Sequence, residues 1–144
     1  MPTIWTIGYE QARIDDVTAA LSAAGVEVLA DIRYLPLSRR PGFSKSALAT
    51  AMGETGIAYR HMKQLGTPAE GRAAARRGDH ATLSKVYAGQ LELPQAMAAM
   101  AELRELACEK RVALLCYERE ARECHRSLLI DALLSDFVVV DLKP

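Results

Sequence analysis

The sequence predicts an α/β fold with three layers, α/β/α, and a mainly parallel sheet of about five strands. Three observations lead to this prediction: short apolar runs recur along the chain, segments with helical periodicity separate them, and no repeat or linker interrupts the pattern. Strands that alternate with helices are joined by crossovers, which make the strands parallel and place helices on both faces. The length of 144 residues suits one domain, so we expect residues 1–144 to form a single α/β domain.

Five segments are rich in apolar and β-branched residues, as buried strands are. Gly8 ends the first of them, and the second follows directly after Gly25. The predicted strands are residues 3–7, 26–31, 57–61, 111–116 and 137–142.

Local signals place helices between these strands. Ser44 and Asp79 are suited to cap helices, and Pro94 is suited to a first turn. Gly25 and Gly56 follow helical segments, where glycine readily adopts the left-handed conformation. The predicted helices are residues 14–24, 45–55, 80–87, 94–107 and 124–134, whereas residues 66–78 lack an apolar stripe and are predicted as a loop with a helical turn.

The composition excludes several classes of protein. Half of the residues are hydrophobic, which excludes a disordered chain, and no apolar run approaches the roughly 20 residues that cross a bilayer. No basic region precedes an apolar stretch at the N-terminus, so we expect no secretory signal. Three cysteines, an odd number, indicate reduced thiols rather than a disulfide scaffold. We therefore expect a cytoplasmic protein without membrane contact.

The net charge of zero conceals an uneven distribution. Residues 32–77 contain nine Lys and Arg against two Asp and Glu, a net charge of +7, and the rest of the chain has −7. A neutral chain binds long nucleic acid poorly, but a basic segment can focus its field on one anionic ligand. A solvated basic surface that acidic helices balance would explain the same pattern.

Four of the predicted strands are followed by residues that can bind ligands or transfer protons. These residues are Tyr9 and Glu10 after the first strand, Arg33 after the second, His61 at the end of the third, and Tyr117 and Glu118 after the fourth. In parallel sheets, ligands bind in the crevice beyond the carboxyl ends of the strands. We therefore predict one pocket that these strand ends share.

The connection after the second strand, residues 31–45, is long for an α/β protein, and such loops are usually functional. Guanidinium groups bind phosphate or carboxylate through paired hydrogen bonds, so Arg33 and Arg39, with Ser38 beside them, are candidate anion ligands. The N–H groups that begin the following helix also favour anions. In the alternative interpretation, Asp31 is the internal partner of Arg33.

A second candidate cluster joins the fourth strand to the last helix. Cys124 is a candidate nucleophile, because a thiol at a helix N-terminus near cationic groups tends toward the thiolate. Glu118 is either a general base or the ion-pair partner of Arg126, which is itself a candidate anion ligand. His125 is a candidate for proton transfer, whereas Cys116 is predicted to be a buried small hydrophobe.

The sequence predicts no metal ion and no cofactor. The spacing of Cys116, Cys124, His125 and His61 matches no standard zinc pattern, and adjacent Cys124 and His125 are awkward ligands for one tetrahedral ion. A Walker loop, a dinucleotide fingerprint and a nucleophile elbow are also absent from the sequence.

Several motifs occur in the order that is typical of one protein family. They are residues 6–10, 31–33 with Pro36, 38–44, 56–57 with Tyr59, His61 with 65–66, 115–118 and 124–126. On these motifs the sequence resembles the domain of unknown function 488 family (DUF488) from Thr6 to about Leu134. The resemblance implies a compact α/β domain and supplies no reaction, and residues 66–91 carry the least of its pattern.

The leading functional hypothesis is an enzyme, a hydrolase or a transferase, that acts on a small phosphorylated or nucleotide-like ligand. Arginines would bind the anion, tyrosines would contact its organic part, and a carboxyl group or a histidine would transfer a proton. The arginines of this hypothesis are Arg33, Arg39 and Arg126, and the tyrosines are Tyr9 and Tyr117. The group that transfers the proton is Glu118 or His125.

Two alternatives remain open. The first is a module without catalysis that binds nucleic acid or a partner protein through the basic segment 33–77. The second is thiol chemistry at Cys124. Part of the apparent site could also be the contact of a homodimer, since Tyr and Arg are favoured at interfaces.

Overall fold

The computed structural model describes residues 2–144 and contains a five-stranded sheet in which all paired strands are parallel. The strands are β1 (Thr3–Gly8), β2 (Val28–Asp31), β3 (Ala58–His61), β4 (Val112–Cys116) and β5 (Val138–Leu142). Their order in the sheet is β3-β2-β4-β1-β5. Helices cover both faces, so the predicted three-layer α/β/α class is confirmed, with a sheet that is parallel throughout.

The helices are α1 (Ile14–Ala23), α2 (Lys45–Thr55), α3 (Ala69–Arg76), α4 (His80–Leu91), α5 (Pro94–Glu109) and α6 (His125–Leu133), and single 3₁₀ turns lie at Lys63–Leu65 and Ala121–Glu123. None of the helices in residues 2–144 is long and apolar enough to cross a membrane. Asp79 caps α4 as predicted, because its side chain accepts a hydrogen bond from the Thr82 N–H.

Two local predictions were wrong. Helix α3 occupies most of the segment that was predicted as a loop with a helical turn. Ser44 precedes α2 but its side chain does not cap that helix. Its hydroxyl instead accepts from the Ser38 N–H and donates to the Ser38 carbonyl, both at 3.1 Å, and so closes the loop after β2.

The two faces of the sheet bury separate apolar clusters. Alternate residues of β1 point to opposite sides, with Trp5 and Ile7 on one side and Ile4 on the other. Helices α1 and α2 cover the first side, and α4, α5 and α6 cover the second. The chain therefore leaves β1 toward one face and leaves the adjacent β4 toward the other.

This divergence opens a crevice at the carboxyl ends of β1 and β4, where ligands of parallel sheets usually bind. The strand ends are level with one another, since Gly8 is paired with Cys116 and Asp31 is paired with both Leu115 and His61. Side chains that follow these positions are thus brought to one edge of the sheet.

Two glycines let the loops at this edge pack against each other. A Cβ atom on Gly8 would overlap the Glu118 carbonyl oxygen in the loop after β4. A Cβ atom on Gly66 would overlap the backbone nitrogen of Tyr34 in the loop after β2. In both places the close neighbour is backbone, which cannot rotate away as a side chain can.

We expect Gly8→Ala to destabilise the protein by about 1–3 kcal/mol, because the added methyl group must displace the loop after β4. Urea denaturation measures this change. The control is Gly53→Ala in α2, where a Cβ atom meets nothing within 4 Å, so the free energy of unfolding should stay level or rise by about 0.5–1 kcal/mol. Equal effects of the two substitutions would contradict the close approach at Gly8.

Candidate functional site

A cavity of about 390 Å³ lies at the crevice between the carboxyl ends of β1 and β4. Its wall comes from the end of β1, the loop after β2, helices α3 and α4, and the segment between β4 and α6. Seven residues that the sequence analysis selected line it: Tyr9, Arg33, Ser38, Tyr117, Glu118, Cys124 and His125. Four others lie outside its wall: Glu10, Arg39, His61 and Arg126.

A buried ion pair forms the floor of this region. The Asp31 carboxylate is fully buried and accepts from Nε and a terminal nitrogen of Arg33, at 2.8 and 2.7 Å. The other terminal nitrogen of Arg33 donates to the Tyr9 hydroxyl and to the Phe43 carbonyl. Tyr59 donates to the same carboxylate at 2.5 Å. The alternative interpretation, in which Asp31 is the internal partner of Arg33, is therefore confirmed.

This pairing fixes the charge state of its members. Burial alone would lower the pKa of Arg33, but the hydrogen bonds and charge of Asp31 raise it above its ordinary value. Burial and the bond to Asp31 raise the pKa of Tyr59. Arg33 thus stays cationic with its charge balanced by Asp31, and most of its N–H groups are already used.

Two histidines bind the backbone around Arg33. Nε2 of His125 lies 2.7 Å from the Ile32 carbonyl oxygen, and Nε2 of His61 lies 2.8 Å from that of Arg33. A carbonyl oxygen only accepts, so Nε2 of each ring carries the hydrogen. Burial lowers the pKa of His125 to about 4, which keeps this ring neutral and leaves Nδ1 as an acceptor.

An arginine binds the segment between β4 and α6 through hydrogen bonds to its backbone. Arg126 is buried, and its guanidinium group donates to the carbonyl oxygens of Glu118 and Arg119. Burial lowers the pKa of Arg126 to about 10. Glu10 supports the same segment, since its carboxylate accepts from the Arg119 N–H at 3.0 Å. Both side chains organise the loop and do not face the cavity.

Glu118 contributes a carboxyl group to the cavity wall. Burial raises its pKa above the ordinary value, although the charge of Arg126 acts in the opposite direction. Its Oε2 atom lies 3.7 Å from Sγ of Cys116. A half-buried carboxyl group beside a cavity is suited to accept or release a proton there.

Cys116 and Cys124 are joined by a disulfide bond, so the prediction of three reduced thiols was wrong for these two residues in this structure. The strand end and the helix N-terminus, eight residues apart, bring their sulfur atoms together. In this form Cys124 has no free thiol for nucleophilic attack. Cys108 is free and exposed.

Apart from Arg33, the arginines of the cavity wall come from α3. Arg72 and Arg76 line the cavity, and neither forms a salt bridge within residues 2–144. Arg72 donates to the Thr67 carbonyl at 3.0 Å and its guanidinium group lies 5.6 Å from the ring centre of Tyr34. Oγ1 of Thr67 is buried and has no hydrogen-bond partner in the described chain.

Sequence reasoning missed nine residues of the cavity wall, three of which lie on α3. The missed lining residues are Tyr34, Leu35, Leu37, Thr67, Arg72, Ala75, Arg76, Leu83 and Cys116. One signal was present: residues 72, 75 and 76 have the spacing of one helix face, while Ala74 is the buried contact. A search for amphipathicity that counts alanine as apolar would have found it.

We expect Asp31→Asn to destabilise the protein by about 3–5 kcal/mol, because Arg33 would then carry a buried charge without a partner. Chemical denaturation gives the change in free energy of unfolding. The control is Asp136→Asn, which removes one partner of the exposed pair with Arg104 and should have a much smaller effect. Similar losses in the two variants would show that the buried pair is not the stronger constraint.

Comparison with known proteins supplies a family and no function. Neither the curated proteins nor the solved structures contain a match to this chain. The sequence model of one family, described as "Domain of unknown function DUF488", matches residues 13–133, which is most of the chain. The protein therefore belongs to the DUF488 family.

Proposed function

We propose that the protein is an enzyme, a hydrolase or a transferase, whose small substrate carries a phosphate or similar anionic group on a flat organic body. One observation carries the proposal: a single cavity combines a carboxyl group with two arginines that form no salt bridge within residues 2–144. It lies at the sheet edge where parallel α/β proteins bind ligands. Its volume of about 390 Å³ is within the range of small-molecule sites.

The anionic end of the ligand belongs near α3. Arg72 and Arg76 are four residues apart on one helix, so their guanidinium groups can approach the same anion. Arg33 contributes less, since Asp31 balances its charge. Thr67 lines the same end of the cavity, but its Oγ1 atom is buried against Gly71 of α3 and is not counted as a ligand donor. The arginine cluster of the sequence hypothesis is thus replaced by a different pair.

The organic part belongs on the aromatic side of the cavity. The buried ring of Tyr9 stacks on Phe43 and meets Tyr117 edge-on, with ring centres 5.4 Å apart. Tyr117 is 46% exposed, and Leu37 at the rim is 72% exposed. A flat, partly apolar ligand would cover these side chains and gain free energy from their burial.

Glu118 is the group best placed to transfer a proton. Its carboxyl group lines the cavity with Tyr117, within the loop that Arg126 holds. His125 is less suited to this role, because its Nε2–H donates to the Ile32 carbonyl and Cys124 lies beside its Nδ1. The proposal therefore assigns acid–base chemistry to Glu118.

We expect Arg72→Ala and Arg76→Ala to remove the thermal stabilisation that an anionic ligand gives. The probes are inorganic phosphate, sugar phosphates, nucleoside monophosphates and short 5′-phosphorylated oligonucleotides. A probe at one hundred times its Kd should stabilise the wild-type protein by about 2.7 kcal/mol. Differential scanning fluorimetry measures the shift.

The matched control for this experiment is Arg77→Ala. Arg77 directly follows α3, so its substitution removes the same charge from the same region. Unlike Arg72 and Arg76, it pairs with Asp79 and lies outside the cavity wall. Equal loss of binding in this variant would indicate diffuse charge attraction and contradict the proposal. Binding of oligonucleotides alone, with a steep salt dependence, would instead favour a nucleic-acid-binding module.

We expect Glu118→Gln to lower kcat about 10²–10⁴-fold on a phosphorylated compound that the wild-type protein turns over, while ligand stabilisation is retained. Steady-state kinetics and the thermal assay separate the two effects. Glu123→Gln is the control, since Glu123 is exposed on the same loop and does not line the cavity. Unchanged turnover in Glu118→Gln would remove the assigned role.

A further inference from the structure

We propose that Cys116, Cys124 and His125, once the disulfide is reduced, form a binding site for one thiophilic divalent ion of the zinc class. The Sγ atoms of both cysteines and a ring nitrogen of His125 all lie within 4.8 Å of one another. All three residues are buried, and all three line the cavity. The inference concerns the ion alone and does not depend on the anionic substrate.

The distances within the cluster suit ligands of one ion. Sγ of Cys124 lies 3.7 Å from Nδ1 of His125. Zinc–sulfur and zinc–nitrogen bonds of about 2.3 and 2.0 Å at tetrahedral angles would place these two atoms about 3.5 Å apart. From the sequence alone, the adjacent Cys124 and His125 were awkward ligands for one ion. In the structure, Cys124 is the N-cap of α6 and His125 is its first residue, and this arrangement allows both to bind the same ion.

The histidine already has the form that a metal ligand needs. Its Nε2–H donates to the Ile32 carbonyl at 2.7 Å, so the lone pair is on Nδ1, the nitrogen beside Cys124. Histidine ligands of metals are commonly oriented by such a bond from the other ring nitrogen to a backbone carbonyl. The Arg126 N–H also points to Sγ of Cys124, at 3.4 Å, and would stabilise a thiolate.

The backbone spacing of the cysteines also favours two separate ligands. Their Cα atoms are 7.6 Å apart, whereas disulfides usually have about 4.4–6.8 Å. Two thiolates on a zinc ion have sulfur atoms about 3.8 Å apart, which allows a wider backbone. Their two negative charges balance the ion, so binding adds no net charge to the buried cluster.

Reduction of the disulfide precedes binding of the ion. A phosphine reductant supplies two electrons to the S–S bond and takes oxygen from water, and each sulfur becomes a thiol. Binding of the divalent ion then releases both thiol protons. Three protein ligands leave a fourth position, and since all three residues line the cavity, that position faces it as in catalytic zinc sites. Soft sulfur donors select zinc-class ions over magnesium or calcium.

The test uses the full chain reduced with a phosphine and titrated with Co²⁺ under anaerobic conditions, followed by competition with Zn²⁺. We expect one ion per chain and a thiolate-to-cobalt charge-transfer band, which zinc removes. The oxidised protein should bind none. Absence of the band in the reduced wild-type protein, or the same uptake by the oxidised form, would overturn the proposal.

Variants assign the ligands. Cys116→Ser, Cys124→Ser and His125→Asn should each lose the band, whereas Cys108→Ser in α5 should retain it. Circular dichroism confirms that each variant is folded. If one is not, alkylation of the reduced wild-type protein gives the answer: zinc should protect Cys116 and Cys124 and leave Cys108 reactive. Protection of Cys108, or of no cysteine, would contradict the site.

Discussion

The ion pair between Asp31 and Arg33 is the constraint on which the rest of this sheet edge depends. Arg33 donates to the Tyr9 hydroxyl, and its own carbonyl accepts from His61. The carbonyl of Ile32, between the two charged residues, accepts from His125. A buried pair is stable only when each member is fully bonded, so these contacts are mutually required. The result is that segments far apart in sequence share one buried floor. The rim of the cavity above this floor includes exposed side chains such as Leu37.

Most of the fold could be predicted from local signals. Alternating strands and helices require a parallel sheet, and caps such as Asp79 fix where helices begin. The strand order could not be predicted, because it depends on which face each helix covers. Helix α3 was missed since alanine and arginine give no clear apolar stripe. Ser44 was misinterpreted because a hydroxyl group can bind a neighbouring loop as well as a helix terminus.

The candidate site was predictable in position and less so in composition. Parallel strands end at one edge, so Tyr9, Arg33 and His125 were expected to converge, and they line one cavity. The sequence could not show which charged groups would be consumed by internal partners. Arg126 and Arg33 both have the chemistry of an anion ligand, yet one binds loop carbonyl groups and the other binds a carboxylate. Pairing is a tertiary property that residue type alone does not determine.

The motifs that carry the family resemblance mainly build the frame of the cavity. Gly8 and Gly66 permit the close approach of loops, and Arg33 and Arg126 hold those loops from inside. The arginines that remain available for a ligand are in α3, within residues 66–91, which carry the least of that pattern. A frame built from backbone contacts tolerates few substitutions, whereas an exposed helix face tolerates many. Under the proposed function, ligand choice would therefore reside in α3, and proteins that share only the frame need not share a substrate.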